Sequence, residues 1–443
     1  MSEDAFRLQP KFLVDAAWNY AAFMVMASTG VILNFFIAAH FGIEALGVFN
    51  QVFAIYAITA QFAVMGFHDS AQKHTSELDE TPQHLGVVSA AALVLAAAVG
   101  LLTAFGVYFL SQPIGLLTDS TAVGKGIALA SPGLMFFAIN KVLMGILNGV
   151  RRMKAFAGAQ SLRVSVILVS CLGLAWAEQP PYMLGLSFTI AEIVLLPFLL
   201  YLVRPHPTDF YSTGELRRWI KAHFHFGSRA LLNGFLAETY IRIDIIMLGI
   251  FVSDHDVGIY SFAALFIEGL FQVPVVFRTL ANPELVRLLN GGDKLATARF
   301  CRKVALMSLG VFVFVGGGVI GVFPFLGPYF PNDLVSLSYP LLLILVGGLA
   351  VYAVMIPLNS IVLQGGRPGR QSLLMSFNVL VNVVLNLALI PLFGLYGAAS
   401  ATAIAFIVSS IAINGATWKW LDFRGGVLLY GTLIFQTKKG AAR

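Results

Sequence analysis

Leu85-Gly-Val-Val-Ser-Ala-Ala-Ala-Leu-Val-Leu-Ala-Ala-Ala-Val-Gly-Leu-Leu-Thr-Ala-Phe-Gly-Val-Tyr-Phe-Leu110 runs from end to end without a charge. As a helix it extends about 39 Å, enough to cross a hydrocarbon core of about 30 Å. A helix at the surface of a soluble domain needs a polar face, and this one has none. The rest of the chain is built the same way. Of 443 residues 58% are hydrophobic and 11% charged, whereas a soluble domain uses about a quarter charged residues. Lipid is therefore the solvent for most of the chain. The 37 Phe and 42 Gly suit helices that pack closely inside a bilayer.

Working outward, twelve stretches of spanning length can be read. Six lie in the first half, at 13–40, 45–67, 85–110, 126–149, 162–177 and 184–203. Six lie in the second, at 228–252, 258–282, 303–326, 337–363, 372–392 and 398–418. The expected fold is thus all-α: a polytopic membrane protein of about twelve transmembrane helices. No small-residue cleavage site follows a short apolar core, so the first helix is expected to remain. With a cytoplasmic N-terminus, 23 of the 28 Lys and Arg residues, Arg163 among them, fall in cytoplasmic segments. One, Lys125, falls outside, and Lys141, Arg229, Arg242 and Arg278 lie inside spans. This asymmetry places both termini in the cytoplasm of a cell inner membrane protein. It also assigns the net charge of +6 to topology and lipid headgroups, not to nucleic acid.

The longest outer loop, residues 111–125, leaves no room for an outer catalytic domain. The longest cytoplasmic connection, 204–226, holds Pro205, Pro207 and the amphipathic run Glu215–Lys221. It reads as a linker helix on the membrane surface. The apolar tail Val427–Phe435 is too short to span and reads as interfacial. The organisation expected is a six-helix lobe at 1–203, the linker at 204–226, a second lobe at 227–420 and a tail at 421–443.

The halves resemble each other. Phe41-Gly-Ile-Glu-Ala-Leu-Gly-Val-Phe49 corresponds to Phe251-Val-Ser-Asp-His-Asp-Val-Gly-Ile-Tyr260. Leu147-Asn-Gly-Val-Arg151 corresponds to Leu363-Gln-Gly-Gly-Arg367, and Leu184-Gly-Leu186 to Tyr396-Gly-Ala398. Three matches in order, at equivalent topological places, indicate duplication. Two lobes of six spans are parallel repeats, and a cleft between them opening to alternate sides is the physical expectation.

Charges at membrane depth cost roughly 2.5–3.5 kcal/mol each on insertion scales, which makes them functional candidates. Lys141, Arg242, Arg229 and Arg278 are the cations, and two uses are open to them: binding an anionic group in a wet cavity, or structural pairing and snorkelling. Glu192, Glu238 and Glu268 are candidates for ion coupling. Glu238 and Arg242 stand at i and i+4, where they can neutralise each other. Asp244, nearer a span end, reads as hydrated. Asn378, Asn382 and Asn386 share one helix face, either as interhelical hydrogen-bond glue or as sugar contacts. His68, His74 and His84 share a loop with Asp69, Glu77, Asp79 and Glu80, and this reads as a solvated connector. Cys171 and Cys301 offer neither a disulfide framework nor a metal spacing. No GxxxxGK[ST] segment encodes an ATPase motor, and no metal or cofactor is expected.

Several of these stretches resemble the polysaccharide (O-antigen) flippases of the multidrug/oligosaccharidyl-lipid/polysaccharide exporter superfamily. They are Gly47-Val-Phe, Leu147-Asn-Gly-Val-Arg-Arg-Met-Lys-Ala-Phe156, Asp244-Ile-Ile-Met-Leu-Gly249 and Val257-Gly-Ile-Tyr-Ser-Phe-Ala263. Asn382-Val-Val-Leu-Asn-Leu-Ala-Leu-Ile-Pro-Leu-Phe-Gly-Leu-Tyr-Gly-Ala-Ala399 belongs with them. The resemblance implies two six-helix lobes around a central cavity and transfer of an undecaprenyl-diphosphate-linked oligosaccharide from the cytoplasmic to the outer leaflet. It implies a cation-lined cavity, with Lys141, Arg242, Arg229 and Arg278 as the residues available, and polysaccharide-assembly proteins as partners. The superfamily's lipid II flippases have fourteen spans and basic residues in the first. This chain reads as twelve, with no Lys or Arg between Lys11 and the end of span one. A multidrug exporter of the same fold is the rival reading, and a membrane glycosyltransferase or polymerase the more distant one.

The orientation is testable with single cysteines in a Cys171→Ala/Cys301→Ala background. A membrane-impermeant maleimide is expected to label Lys125→Cys on intact cells and Arg217→Cys only after permeabilisation. The reverse pattern overturns the assignment.

Overall fold

Short polar stops punctuate the long apolar runs, and each starts a helix by a nameable device. Ser120 accepts from the Val123 N–H at 3.2 Å, Ser253 from the Asp256 N–H at 3.2 Å, and Asp293 from the Leu295 and Ala296 N–H groups at 3.0 and 2.9 Å. Each satisfies donors that the first turn of a helix leaves orphaned. The computed structural model describes residues 10–78, 82–204, 213–331 and 333–431, and all regular structure among them is helical. The helices are α1 (Pro10–His40), α2 (Ile43–Val64), α3 (Phe67–Glu77), α4 (Pro82–Leu117), α5 (Thr121–Ala130), α6 (Gly133–Gly149) and α7 (Met153–Trp176). They continue with α8 (Leu186–Val203), α9 (Thr213–Phe251), α10 (Asp254–Gly291), α11 (Lys294–Val322), α12 (Leu334–Ala353), α13 (Ile361–Gln364) and α14 (Pro368–Leu421). Pro205, Pro207, Asp79, Glu80, the His84 side chain and the tail beyond residue 431 lie outside the described residues.

Nine helices among the described residues are long and apolar enough to cross a membrane, or ten if α5 and α6, bent by 45°, form one broken span. The 54-residue α14 counts once there, although Gly394 (φ 54°, ψ −126°) joins two helices within it. That φ/ψ combination is open to glycine alone. With α14 as two spans and the charge-rich α9 as another, the arrangement is consistent with the twelve expected. The protein is a multi-pass membrane protein.

The chain divides into two compact units, Met1–Glu238 and Thr239–Arg443. In the first, α1 packs on α7, α7 on α8, and α6 on α3, α4 and α8. In the second, α10 packs on α11 and α12, and α12 on α14. Both break one span and repair the break with a hydroxyl. Between α5 and α6, Thr189 Oγ1 accepts from the Gly133 N–H at 3.1 Å and donates to Leu129 O at 2.7 Å. At the end of α12, Ser308 donates to Ala353 O at 2.8 Å. Freed backbone groups in hydrocarbon need such internal partners.

The duplication is visible in the backbone. Val150 N bonds Ile146 O at 3.0 Å, Arg151 N bonds Asn148 O at 3.0 Å, and Arg152 N bonds Leu147 O at 2.8 Å. In the second unit Gly365 N bonds Ile361 O at 2.9 Å, Gly366 N bonds Leu363 O at 2.9 Å, and Arg367 N bonds Val362 O at 3.2 Å. Every donor and acceptor keeps one constant offset between the two turns, which pairs Arg152, not Arg151, with Arg367 and so moves the sequence alignment of the halves by one residue here. The left-handed position is Arg151 (φ 54°) in one turn and Gly366 (φ 74°) in the other.

Three expectations change. The stretch read as a solvated connector is the helix α3, with Phe67, Ser70, Ala71 and Thr75 buried. The described part of the stretch read as a surface linker, from Thr213 on, is continuous with the following span in the 39-residue α9, and the division between units falls within that helix. The start of the tail folds back: the Val427 N–H donates to Thr417 Oγ1 at 2.9 Å, and Arg302 donates to Tyr430 O at 2.9 Å.

One cause explains the first two. His223 of α9 is fully buried. It meets Ser70 Oγ at 2.8 Å through Nδ1 and Val88 O at 3.1 Å through Nε2. A carbonyl only accepts, so Nε2 donates and Nδ1 accepts from the hydroxyl, which fixes the neutral tautomer. His74 lies 5.6 Å from the His223 ring and 5.2 Å from Trp219. The charged groups beside it are Glu77, 3.1 Å from His74, and Lys73, over Phe226. Burial pushes the His223 imidazole down to about 4 from an ordinary 6.5. Between those values the unfolded ring takes up a proton that the folded ring refuses. Stability therefore falls as pH drops through that window, by up to about 1.4 kcal/mol per pH unit. Thermal unfolding in detergent from pH 7 to 4.5 should show a shallower pH slope for His223→Gln than for the wild type. Equal slopes would mean that this ring does not carry the effect.

Candidate functional site

Each unit holds its own polar cavity. In the first, α6 supplies Phe137, Asn140 and Lys141, α7 supplies Gln160 and Arg163, and α8 supplies Glu192. Phe137, Lys141 and Met144 recur on one face of α6 at helical spacing. Glu192 is 1% exposed. Its Oε1 accepts from Arg163 and its Oε2 from Asn140 Nδ2 at 2.8 Å. The same amide donates to Glu192 O at 2.9 Å, while the buried Asn140 Oδ1 has no hydrogen-bond partner among the described residues. Two cations share one aromatic ring: the Arg163 guanidinium lies 4.7 Å and the Lys141 ammonium 5.5 Å from the Phe137 centroid. Both distances are within cation–π range. Among the residues that line this cavity, two cations face one carboxylate, which makes the lining formally positive. The cavity is about 30 Å³, room for a water or two and none for a diphosphate.

The second cavity is about 210 Å³ and is lined by Tyr240, Arg242 and Asp244 of α9, Tyr260, Glu268 and Gln272 of α10, and Thr402 of α14, among others. Arg242 Nη1 lies 3.7 Å from Glu268 Oε1. Asp244 is 8% exposed. It accepts from Tyr260 OH at 2.5 Å and from the Ile245 N–H at 2.9 Å. Tyr260 OH is also 3.5 Å from Thr402 Oγ1. One cation against two carboxylates makes this cavity formally negative, the reverse of the first.

The expected site residues therefore separate. Lys141 and Glu192 meet in the first unit's cavity, and Arg242 and Glu268 in the second unit's. Arg278 lies outside that cavity and donates to Asn359 Oδ1 at 3.4 Å. Arg229 is exposed and Glu238 half-buried on the first part of α9. Asn378, Asn382 and Asn386 are 8%, 2% and 0% exposed. Asn386 donates to Asn382 O at 2.9 Å and to its Oδ1. None of the three lines the Arg242 cavity, so the stripe is packed against neighbours.

Two buried charged residues stand elsewhere than the sequence alone suggests. The charge count puts Arg163 with the cytoplasmic segments, because it stands at the cytoplasmic edge of span five, read from residue 162. The helix begins at Met153 and carries Arg163 to the buried Glu192. Gln160 and Arg163, three apart, are the available signal of a polar helical face. Asp244 reads as hydrated, yet it is buried under Tyr260. Flanked by Ile243 and Ile245, it carries no local mark of its partner on the next helix. Among the described residues no cluster of three His, Cys, Asp or Glu could hold a metal.

A multi-pass helical membrane protein of two duplicated units, each with charges at membrane depth, is the class defined so far. The chain belongs to the polysaccharide biosynthesis protein family, whose model matches residues 13–274. Part of it is 30% identical over 190 residues to the probable flippase AglR of Haloferax volcanii, a match covering 41% of this chain and 38% of that protein. Its fold is that of the lipid II flippase MurJ in an inward closed conformation (TM-score 0.72, 13% identity, 91% of this chain and 87% of that one). It is also similar to an inward-facing multidrug resistance MATE family transporter of the MOP superfamily (TM-score 0.66, 14% identity, 94% and 96%).

Removing one partner of a buried ion pair costs about 3–5 kcal/mol, because the other charge is stranded. Glu192→Gln and Arg163→Gln should each lower the unfolding temperature sharply in detergent. The apolar double variant Arg163→Met/Glu192→Leu should recover much of the loss. Single variants as stable as the wild type would show that the pair is not buried.

Proposed function

We propose that the chain is a flippase that moves an undecaprenyl-diphosphate-linked oligosaccharide from the cytoplasmic to the outer leaflet of the inner membrane. Alternating access coupled to an ion is the mechanism proposed. The observation that carries this reading is the Lys141–Arg163 pair on Phe137, two cations on one aromatic ring, of which only Arg163 is bonded to Glu192. A diphosphate in a medium of low dielectric needs fixed cations and charge-assisted hydrogen bonds. Membership of the polysaccharide biosynthesis family supports a saccharide cargo, and the probable flippase AglR supports translocation as the activity. The space beside Lys141 and Arg163 admits only water in this conformation. Loading therefore requires α6 and α7 to part, which a transport cycle supplies.

A second reading, export of hydrophobic cations, draws on the formally negative cavity of Asp244 and Glu268. The two readings predict different phenotypes. Lys141→Ala and Arg242→Ala, expressed at wild-type level, should each be tested for surface polysaccharide and for accumulation of lipid-linked repeat units. A loss of tenfold or more is expected in at least one, with Lys141→Arg retaining function. Normal polymer in both, together with altered drug resistance, would favour the cation exporter.

A further inference from the structure

The duplicated turn carries more than a backbone pattern. Arg152 and Arg367, related by the offset of the two turns, stand at the N-caps of α7 and α14. Arg204 and Lys419, displaced equally, stand at the ends of α8 and α14. In the first unit Arg152 Nη1 donates to Leu202 O at 2.6 Å, joining the start of α7 to the end of α8. Lys154 lies 5.3 Å over Trp18 and Arg204 4.9 Å over Tyr201. Asn19 Nδ2, 3.7 Å from Met153 Sδ, places the start of α7 level with Trp18 of α1. In the second unit Arg370 lies 5.9 Å over Trp420, with Lys419 next to it in the chain and Arg367 one turn before.

These are exposed surfaces. Arg152, Lys154, Arg204, Arg367, Arg370 and Lys419 are all exposed, and none pairs with a carboxylate among the described residues. Trp18, Tyr201 and Trp418 are 40%, 66% and 59% exposed. Large aromatics exposed at the ends of apolar helices mark the headgroup level of a bilayer. Cations standing over or beside such rings, at that level and without acidic partners among the described residues, lie where phospholipid phosphates lie. The turn that positions them is retained in both units.

We propose that each unit carries, at this end, a binding site for the phosphate of an anionic phospholipid. In the first unit Lys154 and Arg204 hold the phosphate while Trp18 and Tyr201 face the glycerol and upper acyl chain. Arg370 and Lys419, with Trp420 and Trp418, do the same in the second. Arg152 positions the first patch by tying α7 to α8. Exposed cations set topology without needing particular neighbours, but a site for anionic lipid must discriminate between headgroups.

The test uses the full chain in detergent with cardiolipin, phosphatidylglycerol and phosphatidylcholine as probes, counting bound lipid by native mass spectrometry. The wild type is expected to retain the two anionic lipids over phosphatidylcholine, and to lose them as salt rises toward 0.5 M. Lys154→Gln/Arg204→Gln and Arg370→Gln/Lys419→Gln should each weaken retention about tenfold or more. The combined variant should lose it, while Lys125→Gln should not. The conservative pair Lys154→Arg/Arg204→Lys should bind normally. Undiminished anionic-lipid binding in the combined variant overturns the proposal, as does equal retention of phosphatidylcholine by the wild type. Loss of a co-purifying acidic protein with lipid retention unchanged also overturns it. Should the combined variant fail to fold, headgroup selectivity and salt sensitivity of the wild type decide the matter.

Discussion

In hydrocarbon no water is available to satisfy a polar group, so each one carried to membrane depth must find its partner within the protein. That constraint shapes both units. Where α5 ends and α6 begins, Thr189 serves as donor and acceptor to two backbone groups of the broken span. Where Glu192 is carried into the first unit, Arg163 and Asn140 occupy both of its carboxylate oxygens. Where Asp244 is carried into the second, Tyr260 and the Ile245 N–H do the same. The cavities lie next to these pairings because a buried charge requires polar surroundings that apolar packing cannot provide.

Duplication supplied a common frame, and the two copies then diverged in charge. The turn after span four and the turn before α14 keep three hydrogen bonds in register, since the backbone geometry of a turn tolerates many side chains. The cavities keep no such register. One presents Lys141 and Arg163 around a single carboxylate, and the other presents Arg242 beside Asp244 and Glu268.

How far the site can be read from the residues varies with the kind of signal. Lys141, Glu192, Arg242 and Glu268 stand out because a charge inside an apolar run is visible in one dimension. Arg163 escapes notice for the complementary reason: at the edge of a run, a charge belongs as readily to a loop as to a helix. The Asn378–Asn382–Asn386 stripe is visible as periodicity, but periodicity does not say what the face meets, and it meets packed protein. The α3 helix is hidden among histidines and acids whose charge resembles that of a solvated loop. Its buried face becomes apparent only against His223 and Trp219.

What the residues determined alone was the solvent, the helical class, the repeat and the short list of costly charges. Those properties sum along the chain and need no knowledge of neighbours. The tertiary structure alone decided which charges meet, where span four breaks, that the run Glu215–Lys221 shares one helix with the following span, and that Asp244 is buried. Each of these depends on the rotation and depth of helices distant in sequence. Arg163 and Glu192 lie 29 residues apart, and Ser70 and His223 lie 153 apart. No local pattern encodes the angle at which such helices face each other.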